Sequence, residues 1–235
     1  MHFEPLHPWN LSPAEARTLQ AAIASQVDTT TALPAWRYVA AADVSYTRGD
    51  THLYAAVVVL DTQANMVEVE RVGVVAPISF PYVPGLLSFR EAPPVLEAFR
   101  LLKTVPDVVL CDGQGIAHPR RLGLASHLGL WLGIPTIGCA KSRLCGSYQE
   151  PGPARGTLSP LLDQGETIGA VVRTKNRVKP LFVSPGHKIT LDNAVGVVLA
   201  TAPRHRLPQP ARLAHETVNA LRRTHRLNHE NRETP

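Results

Sequence analysis

The chain has 235 residues, 44% of them hydrophobic and 18% charged. That balance suits one ordinary globular core and excludes a disordered or fibrous chain. No run reaches the roughly 18–20 unbroken apolar residues of a membrane span, and the start, Met1-His2-Phe3-Glu4, lacks the basic and apolar regions of a signal peptide. A cytoplasmic protein without a membrane partner is therefore expected, with a monomer as the default. A net charge of +5 and a pI near 9.4 favour a polyanionic partner without requiring one. Cys111, Cys139 and Cys145 are odd in number and lack the paired spacing of zinc ligands, so they read as reduced thiols, the first two as core fillers.

In chain order, Ser12-Pro13-Ala14-Glu15 opens a helix with a hydroxyl cap, proline in the first turn and a capping-box glutamate. The apolar positions Leu19 and Ile23 carry it to about residue 27, and residues 29–34 form a linker. Strands follow over residues 37–45, 54–61 and 66–75, separated by turn signals at Thr47-Arg48-Gly49-Asp50 and Thr62-Gln63-Ala64-Asn65. Three strands joined by short turns make an antiparallel meander. A proline-rich loop over residues 77–84 leads to a helix ending near residue 103. Residues 108–111 and 136–139 are short buried strands flanking a helix over 122–132. Two more strands, 168–173 and 181–184, precede a helix over 190–200 that Thr190 caps. A last helix is expected over residues 211–221, and the basic remainder, 222–235, is expected to fray as a flexible tail beyond a single domain of residues 1–221. A meander followed by alternating helices and strands implies an α/β fold: a mixed sheet with helices on both faces, the order of the ribonuclease H-like fold.

Two aspartates stand where apolar residues should be. Asp43 interrupts Val39-Ala40-Ala41-Ala42, and Asp112 ends Val108-Val109-Leu110-Cys111 just before Gly113-Gln114-Gly115. Singly, each could cap a turn. Together, at the ends of separate buried strands of one sheet, they come within reach of a shared divalent cation, for which oxygen ligands suit Mg²⁺ or Mn²⁺. Glu91 is the third candidate. Ser88-Phe89-Arg90-Glu91 has capping-box spacing, but Pro93 cannot donate the bond that a helix starting at Phe89 would ask of it. A helix opening near Pro93 leaves Glu91 at or before the first turn, free to coordinate. Asp192 sits in the first turn after Thr190, where a carboxylate serves the helix dipole. Gly113-Gln114-Gly115 lacks the third glycine and acidic partner of a dinucleotide fingerprint.

Several segments together resemble the endonuclease V family: Ala42-Asp43-Val44-Ser45; Pro81-Tyr82-Val83-Pro84-Gly85-Leu86-Leu87-Ser88-Phe89-Arg90-Glu91; Asp112-Gly113-Gln114-Gly115; His118-Pro119-Arg120-Arg121-Leu122-Gly123; Gly138-Cys139-Ala140-Lys141; and Ser184-Pro185-Gly186-His187. They occur in family order across residues 38–190, with a further match at His205-Arg206-Leu207-Pro208. The run from Pro81 to Glu91 is long and specific. Two departures are Gln114, where the family often has His or Asn, and Val83, where Ile is commoner; neither removes a ligand.

The resemblance implies a ribonuclease H-like, Mg²⁺-dependent enzyme (Mn²⁺ substituting) that binds DNA containing deoxyinosine. It would cut the second phosphodiester on the 3′ side of the lesion, leaving a 3′-hydroxyl and a 5′-phosphate, for DNA repair. Asp43, Glu91 and Asp112 would be metal ligands, in agreement with the buried carboxylates. His215 matches a position near the metal, Lys141 and His118 would lie near the scissile phosphate, and Tyr82 would part the strands. Pro81, Val83, Pro84, Gly85, Leu87 and Gly113 would shape the surroundings of a flipped base, whose weak pairing makes it cheap to extrude. Outside these motifs Lys141 reads as a surface lysine, His118 as a loop histidine and Tyr82 as a core aromatic. The motifs turn Tyr82 and Lys141 to the functional reading and leave His118 and His215 between the two. Inosine-containing RNA or flapped DNA as substrate, and a non-catalytic nucleic-acid-binding module, are the competing readings; three acidic groups beside phosphates argue against the last.

Overall fold

The computed structural model describes residues 1–47 and 49–233, with residues 229–233 as backbone only. Arg48 of the first predicted turn and residues 234–235 of the predicted tail lie outside the described residues. The elements are α1 (Pro13–Ile23), β1 (Tyr38–Ser45), β2 (His52–Asp61), β3 (Val67–Pro77), α2 (Leu87–Leu101), β4 (Val108–Cys111), α3 (Leu124–Leu132), β5 (Thr136–Ala140), β6 (Leu158–Asp163), β7 (Glu166–Val172), β8 (Leu181–His187), α4 (Leu191–Thr201) and α5 (Gln209–Glu233). No helix among the described residues is long and apolar enough to cross a membrane.

One eight-stranded mixed sheet runs in the order β3-β2-β1-β4-β5-β8-β7-β6. The meander is antiparallel, β4 and β5 run parallel to β1, and the last three strands return antiparallel. Because successive side chains of a strand point to opposite faces, β1 serves two cores. Ala40 and Ala42 pack with Val95, Phe99 and Leu128 of α2 and α3, while Val39 and Ala41 pack with Val198 and Ala214 of α4 and α5. The ribonuclease H-like arrangement read from the chain is therefore present, with helices on both faces.

Three elements differ from the sequence expectation. α2 opens at Leu87 and carries Pro93 and Pro94 inside it, so Glu91 lies within the helix rather than before it. Each interior proline removes one helical hydrogen bond. Burial of Phe89, Ala92, Val95, Leu96 and Phe99 along the same helix outweighs that loss, as tertiary packing commonly does. α5 continues past residue 221 because Val218 and Leu221 pack on Tyr54 and Val75, and because Arg226 pairs with Asp50 of the β1–β2 turn. β6 left no clear signal in the sequence because it contains Pro160; as the outermost strand it tolerates a residue without an N–H.

Glycines join the site strands to their neighbours. A methyl group on Gly138 of β5 would stand 2.2 Å from the Gly115 nitrogen, 2.7 Å from the Gln114 carbonyl carbon and 2.8 Å from the Gly113 oxygen. The loop leaving β4 thus rests directly on the β5 backbone. Elsewhere, His127 is buried between Ser88 and His7, its Nδ1 3.0 Å from the Ser88 hydroxyl and its Nε2 2.7 Å from His7 Nε2. His7 Nδ1 lies 2.9 Å from the Pro8 carbonyl and its Nε2 receives the Trp131 indole N–H. The arrangement satisfying all four contacts has His127 Nε2 donating to His7 and His127 Nδ1 accepting from Ser88, with both rings neutral. Burial pushes the His127 pKa down to about 3.

Two predictions follow from this packing. Gly138→Ala should lower stability by roughly 1–3 kcal/mol, toward the upper end because all three obstructing atoms belong to the backbone; an unchanged urea midpoint would refute the contact. The unfolded His127 imidazole takes up its proton near pH 6.5 and the folded one only near pH 3, so the unfolded chain binds more protons in between and stability falls as pH drops. From pH 7 to pH 5 this one group should cost the wild type about 2 kcal/mol that a His127→Gln protein does not lose. Parallel urea titrations with equal pH slopes for the two proteins would show that the imidazole is not the cause.

Candidate active site at the carboxyl ends of β1 and β4

In the parallel pair β1 and β4, Ala42 is the register partner of Cys111, so Asp43 and Asp112 are the next residues on adjacent strands. The Asp112 N–H donates to the Ala42 carbonyl at 3.3 Å and holds that register past the end of β4. Strand alternation turns Asp43 toward α5, where His215 Nδ1 lies 2.7 Å from Asp43 Oδ2. His215 is in turn tied to Asn219, whose amide stands 3.1 Å from His215 Nε2, and Ser45 donates to Asn219 at 3.0 Å. On the other face, α2 presents Glu91. The Lys141 ammonium, at the end of β5, pairs with Asp112 Oδ2.

Asp43 and Glu91 are each only 7% exposed. Burial, and then the charges of Asp43 and Asp112, push the Glu91 pKa up to about 8; the Tyr46 hydroxyl bonded to it works in the opposite direction. Burial and the Asp112 charge raise Asp43 as well, against the pull of His215 and Lys141. Two buried carboxylates whose pKa values are pushed up by burial and by neighbouring negative charge, with Asp112 beside them, are short of positive charge. Oxygen donors of this kind suit a hard divalent cation. As they stand, no three His, Cys, Asp or Glu side chains among the described residues already form a cage for an ion; one oxygen of Asp43 and one of Asp112 are engaged by His215 and Lys141. Rotation of those two side chains would release the oxygens, so the donor set fits such an ion.

Beside the carboxylates, a pocket of about 150 Å³ is lined by Tyr82, Val83, Pro84, Gly85, Leu87 and Gln114 together with His118 and Leu124. An apolar cavity of that size accommodates one aromatic ring. The loop that forms its rim is held by a single atom: the Gly85 carbonyl accepts from Gln20 at 3.1 Å, His118 Nε2 at 3.1 Å and Arg120 at 2.7 Å. Gly85 has φ +78°, which favours glycine, and a methyl group there would stand 2.7 Å from the Arg120 guanidinium and displace it from the Gly85 carbonyl. Tyr82 at the tip is 64% exposed, not the core aromatic it could have been.

The structure thus gathers Asp43, Glu91, Asp112, Lys141 and His215 at one place and Tyr82, Val83, Pro84, Gly85 and Leu87 at another beside it. Pro81 and Gly113 do not line the pocket; Gly113 packs against Leu124. His118 belongs to the pocket rim rather than to the carboxylates. Its Nε2 donates to Gly85 while its Nδ1 accepts from the Arg120 N–H at 3.1 Å, so both nitrogens are occupied. Burial and Arg120 push its pKa down to about 4, and it stands here as a neutral strut. Sequence reasoning missed Tyr46 on Glu91, Asn219 behind His215 and the role of Arg206. The Arg206 guanidinium donates to the backbone carbonyls of Lys141 at 3.0 Å and Pro180 at 2.8 Å, fixing the chain from which Lys141 reaches Asp112. Only Arg206 had a signal, its place in the His205-Arg206-Leu207-Pro208 match.

Known proteins share this fold and much of this sequence. The family model described as endonuclease V matches residues 21–216. Endonuclease V of Azotobacter vinelandii is 50% identical over 210 residues, 89% of this chain and 95% of that protein. The crystal structure of endonuclease V from Streptomyces avermitilis superposes with a TM-score of 0.87 at 42% identity, covering 92% of this chain and 96% of that one. Endonuclease V of Ciona intestinalis, solved in complex with a 24mer DNA containing an inosine followed by a ribo-adenosine, gives a TM-score of 0.77 at 28% identity over 90% of this chain and 98% of that one. On a family match spanning most of its length, and a relative half identical over nine-tenths of it, the chain belongs to the endonuclease V family of nucleases.

Proposed function

We propose that this enzyme nicks DNA beside deoxyinosine, hydrolysing the second phosphodiester on the 3′ side of the lesion to leave a 3′-hydroxyl and a 5′-phosphate, as a step in repair of deaminated adenine. The observation that carries the reading is the cluster of buried Asp43 and Glu91 with Asp112, two residues along the chain from Gln114 in the wall of a pocket of about 150 Å³. The Ciona complex with inosine-containing DNA supports it.

Asp43, Asp112 and Glu91 would hold Mg²⁺, with Mn²⁺ as a substitute. A bound divalent cation supplies an acidified water and positive charge for the leaving oxygen. The chain's own groups do the rest. His215 orients the Asp43 carboxylate, and Lys141, released from Asp112 when that oxygen is needed, offers its ammonium to charge growing on the phosphate. Arg206 keeps Lys141 in reach. Tyr82, exposed at the tip of a loop fixed by three hydrogen bonds to one carbonyl, is placed to stack in the gap left by a flipped base. Val83, Pro84, Gly85 and Leu87 exclude water from that base, and a rigid rim leaves no room for the 2-amino group by which guanine differs from hypoxanthine. One observation favours a second reading: the Ciona ligand carries a ribo-adenosine after its inosine, so a 2′-hydroxyl next to the scissile bond is to be included in the test.

A labelled duplex with one deoxyinosine, one guanine control and one ribonucleotide-containing version, each with Mg²⁺ or EDTA, tests the reading. The expected result is one nick 3′ of the lesion, absent in EDTA and absent with guanine. Asp43→Asn should reduce nicking by more than about 100-fold. Because it removes a charge that burial and the neighbouring Asp112 both disfavour, it should leave thermal stability unchanged or raised. Binding without a nick in every metal condition would leave a recognition module; efficient cutting only at a ribonucleotide would assign RNA.

A further inference from the structure

The helix that brings His215 to the site does not stop there. Gln209, at its start, is held to the Met66 carbonyl in the β2–β3 turn, His215 meets Asp43, Asn219 meets Ser45 and Arg226 meets Thr47 and Asp50. α5 therefore runs alongside β1 in the same direction, and its second half extends beyond the carboxylates with the β1–β2 hairpin. That half is braced. Val218 and Leu221 pack on Tyr54 and Val75, and the Tyr54 hydroxyl is 3.0 Å from His225 Nδ1.

Residues 217–228 contain Arg222, Arg223, His225 and Arg226 and no aspartate or glutamate. The carboxylate partners of α5 side chains among the described residues are Glu216 for Arg212, Asp43 for His215 and Asp50 for Arg226. Arg222, half-buried, and Arg223, exposed, take part in none of these pairs. Steps of four, three and four residues place Asn219, Arg222 and Arg226 on the helical stripe that begins at His215, with Arg223 beside it. At 1.5 Å per residue, Arg222 stands about 10 Å beyond His215. Phosphates of one strand advance about 3.4 Å per base step along B-DNA, so that reach is about three steps from a bond held at the carboxylates.

We propose that the second half of α5 is a phosphate track, in which Arg222 and Arg223 hold the backbone of duplex DNA on one flank of the scissile bond, about three base steps away. The inference rests on the reading of the site as one that nicks DNA. Two arginines outside the ion pairs of the helix, on an element attached to the site and running away from it, complement a polyanion of regular spacing. Contacts to phosphate carry no sequence information, which suits an enzyme that must act on a lesion in any context.

The test is equilibrium binding in EDTA to a deoxyinosine duplex and to the undamaged duplex over a range of salt. Arg222→Gln/Arg223→Gln, with similar helix propensity, is compared with wild type and with Arg100→Gln/Lys103→Gln, which removes the same charge at the far end of α2. For the α5 variant the slope of log K against log salt should become shallower by about two on both duplexes, and the control should keep the wild-type slope. Shortening the duplex from either end should then abolish the difference between wild type and variant once one flank, and only that flank, falls below about three base pairs. A slope equal to wild type, a control that changes as much, or a difference that survives trimming on both sides overturns the track. Wild type that neither binds nor nicks either duplex overturns the DNA reading itself, a separate outcome.

Discussion

Asp43, Asp112 and Glu91 are held against one another by pieces of structure that cannot easily give way. Asp43 and Asp112 follow register partners of a parallel strand pair, and Glu91 is carried by a helix that buries Phe89, Ala92, Val95, Leu96 and Phe99. Burial first, and then the charges of Asp43 and Asp112, oppose ionisation of Glu91 and push its pKa up to about 8. Three side chains answer that shortage of positive charge: His215 on Asp43, Lys141 on Asp112 and Tyr46 on Glu91. The repulsion is a cost to the fold and the source of its affinity for a cation, the exchange of stability for function usual at active sites.

The second requirement is that the base pocket keep a fixed distance from those carboxylates. Asp112 is followed directly by the loop Gly113-Gln114-Gly115, which rests on Gly138 of β5 with no side chain between. Gln114 lines the pocket and donates to the Ser142 carbonyl at 2.9 Å, just past Lys141. A displacement of this loop would therefore reach Asp112, Lys141 and the pocket wall together. The opposite wall is pinned just as tightly through the Gly85 carbonyl. Preorganisation of this kind is what distinguishing two purines by one amino group demands.

Much of this was legible in the chain because buried charge is conspicuous. Asp43 among alanines and Asp112 after an apolar strand can be found by reading alone, and the Ser12–Glu15 capping box and the turn signals of the meander placed the first helix and strands. What stayed hidden depends on tertiary packing. Pro93 and Pro94 forbid a helix locally, yet α2 passes through them because the buried Phe89–Phe99 side of the helix outweighs two missing hydrogen bonds. His118 reads in sequence as either a loop histidine or a functional one, and only the geometry shows both of its nitrogens committed to holding a loop. Tyr46, Asn219 and Arg206 act through partners 45, 4 and 65 residues away, two of those separations too long for any local pattern to reveal.

Charge is distributed in this molecule by depth. In the pocket, burial and neighbouring arginines keep His118 neutral, so a base is met by shape and by hydrogen bonds whose strength salt does not screen. At the carboxylates, charges are buried and strongly coupled, where a cation or a developing phosphate charge is felt most. Along the outer half of α5, arginines stand near water, where each attraction is weak and salt-sensitive. Selectivity for a lesion needs the first environment and bond cleavage the second. Holding DNA of arbitrary sequence needs only the third, and a nuclease that must release undamaged DNA gains from keeping that last contribution shallow and reversible.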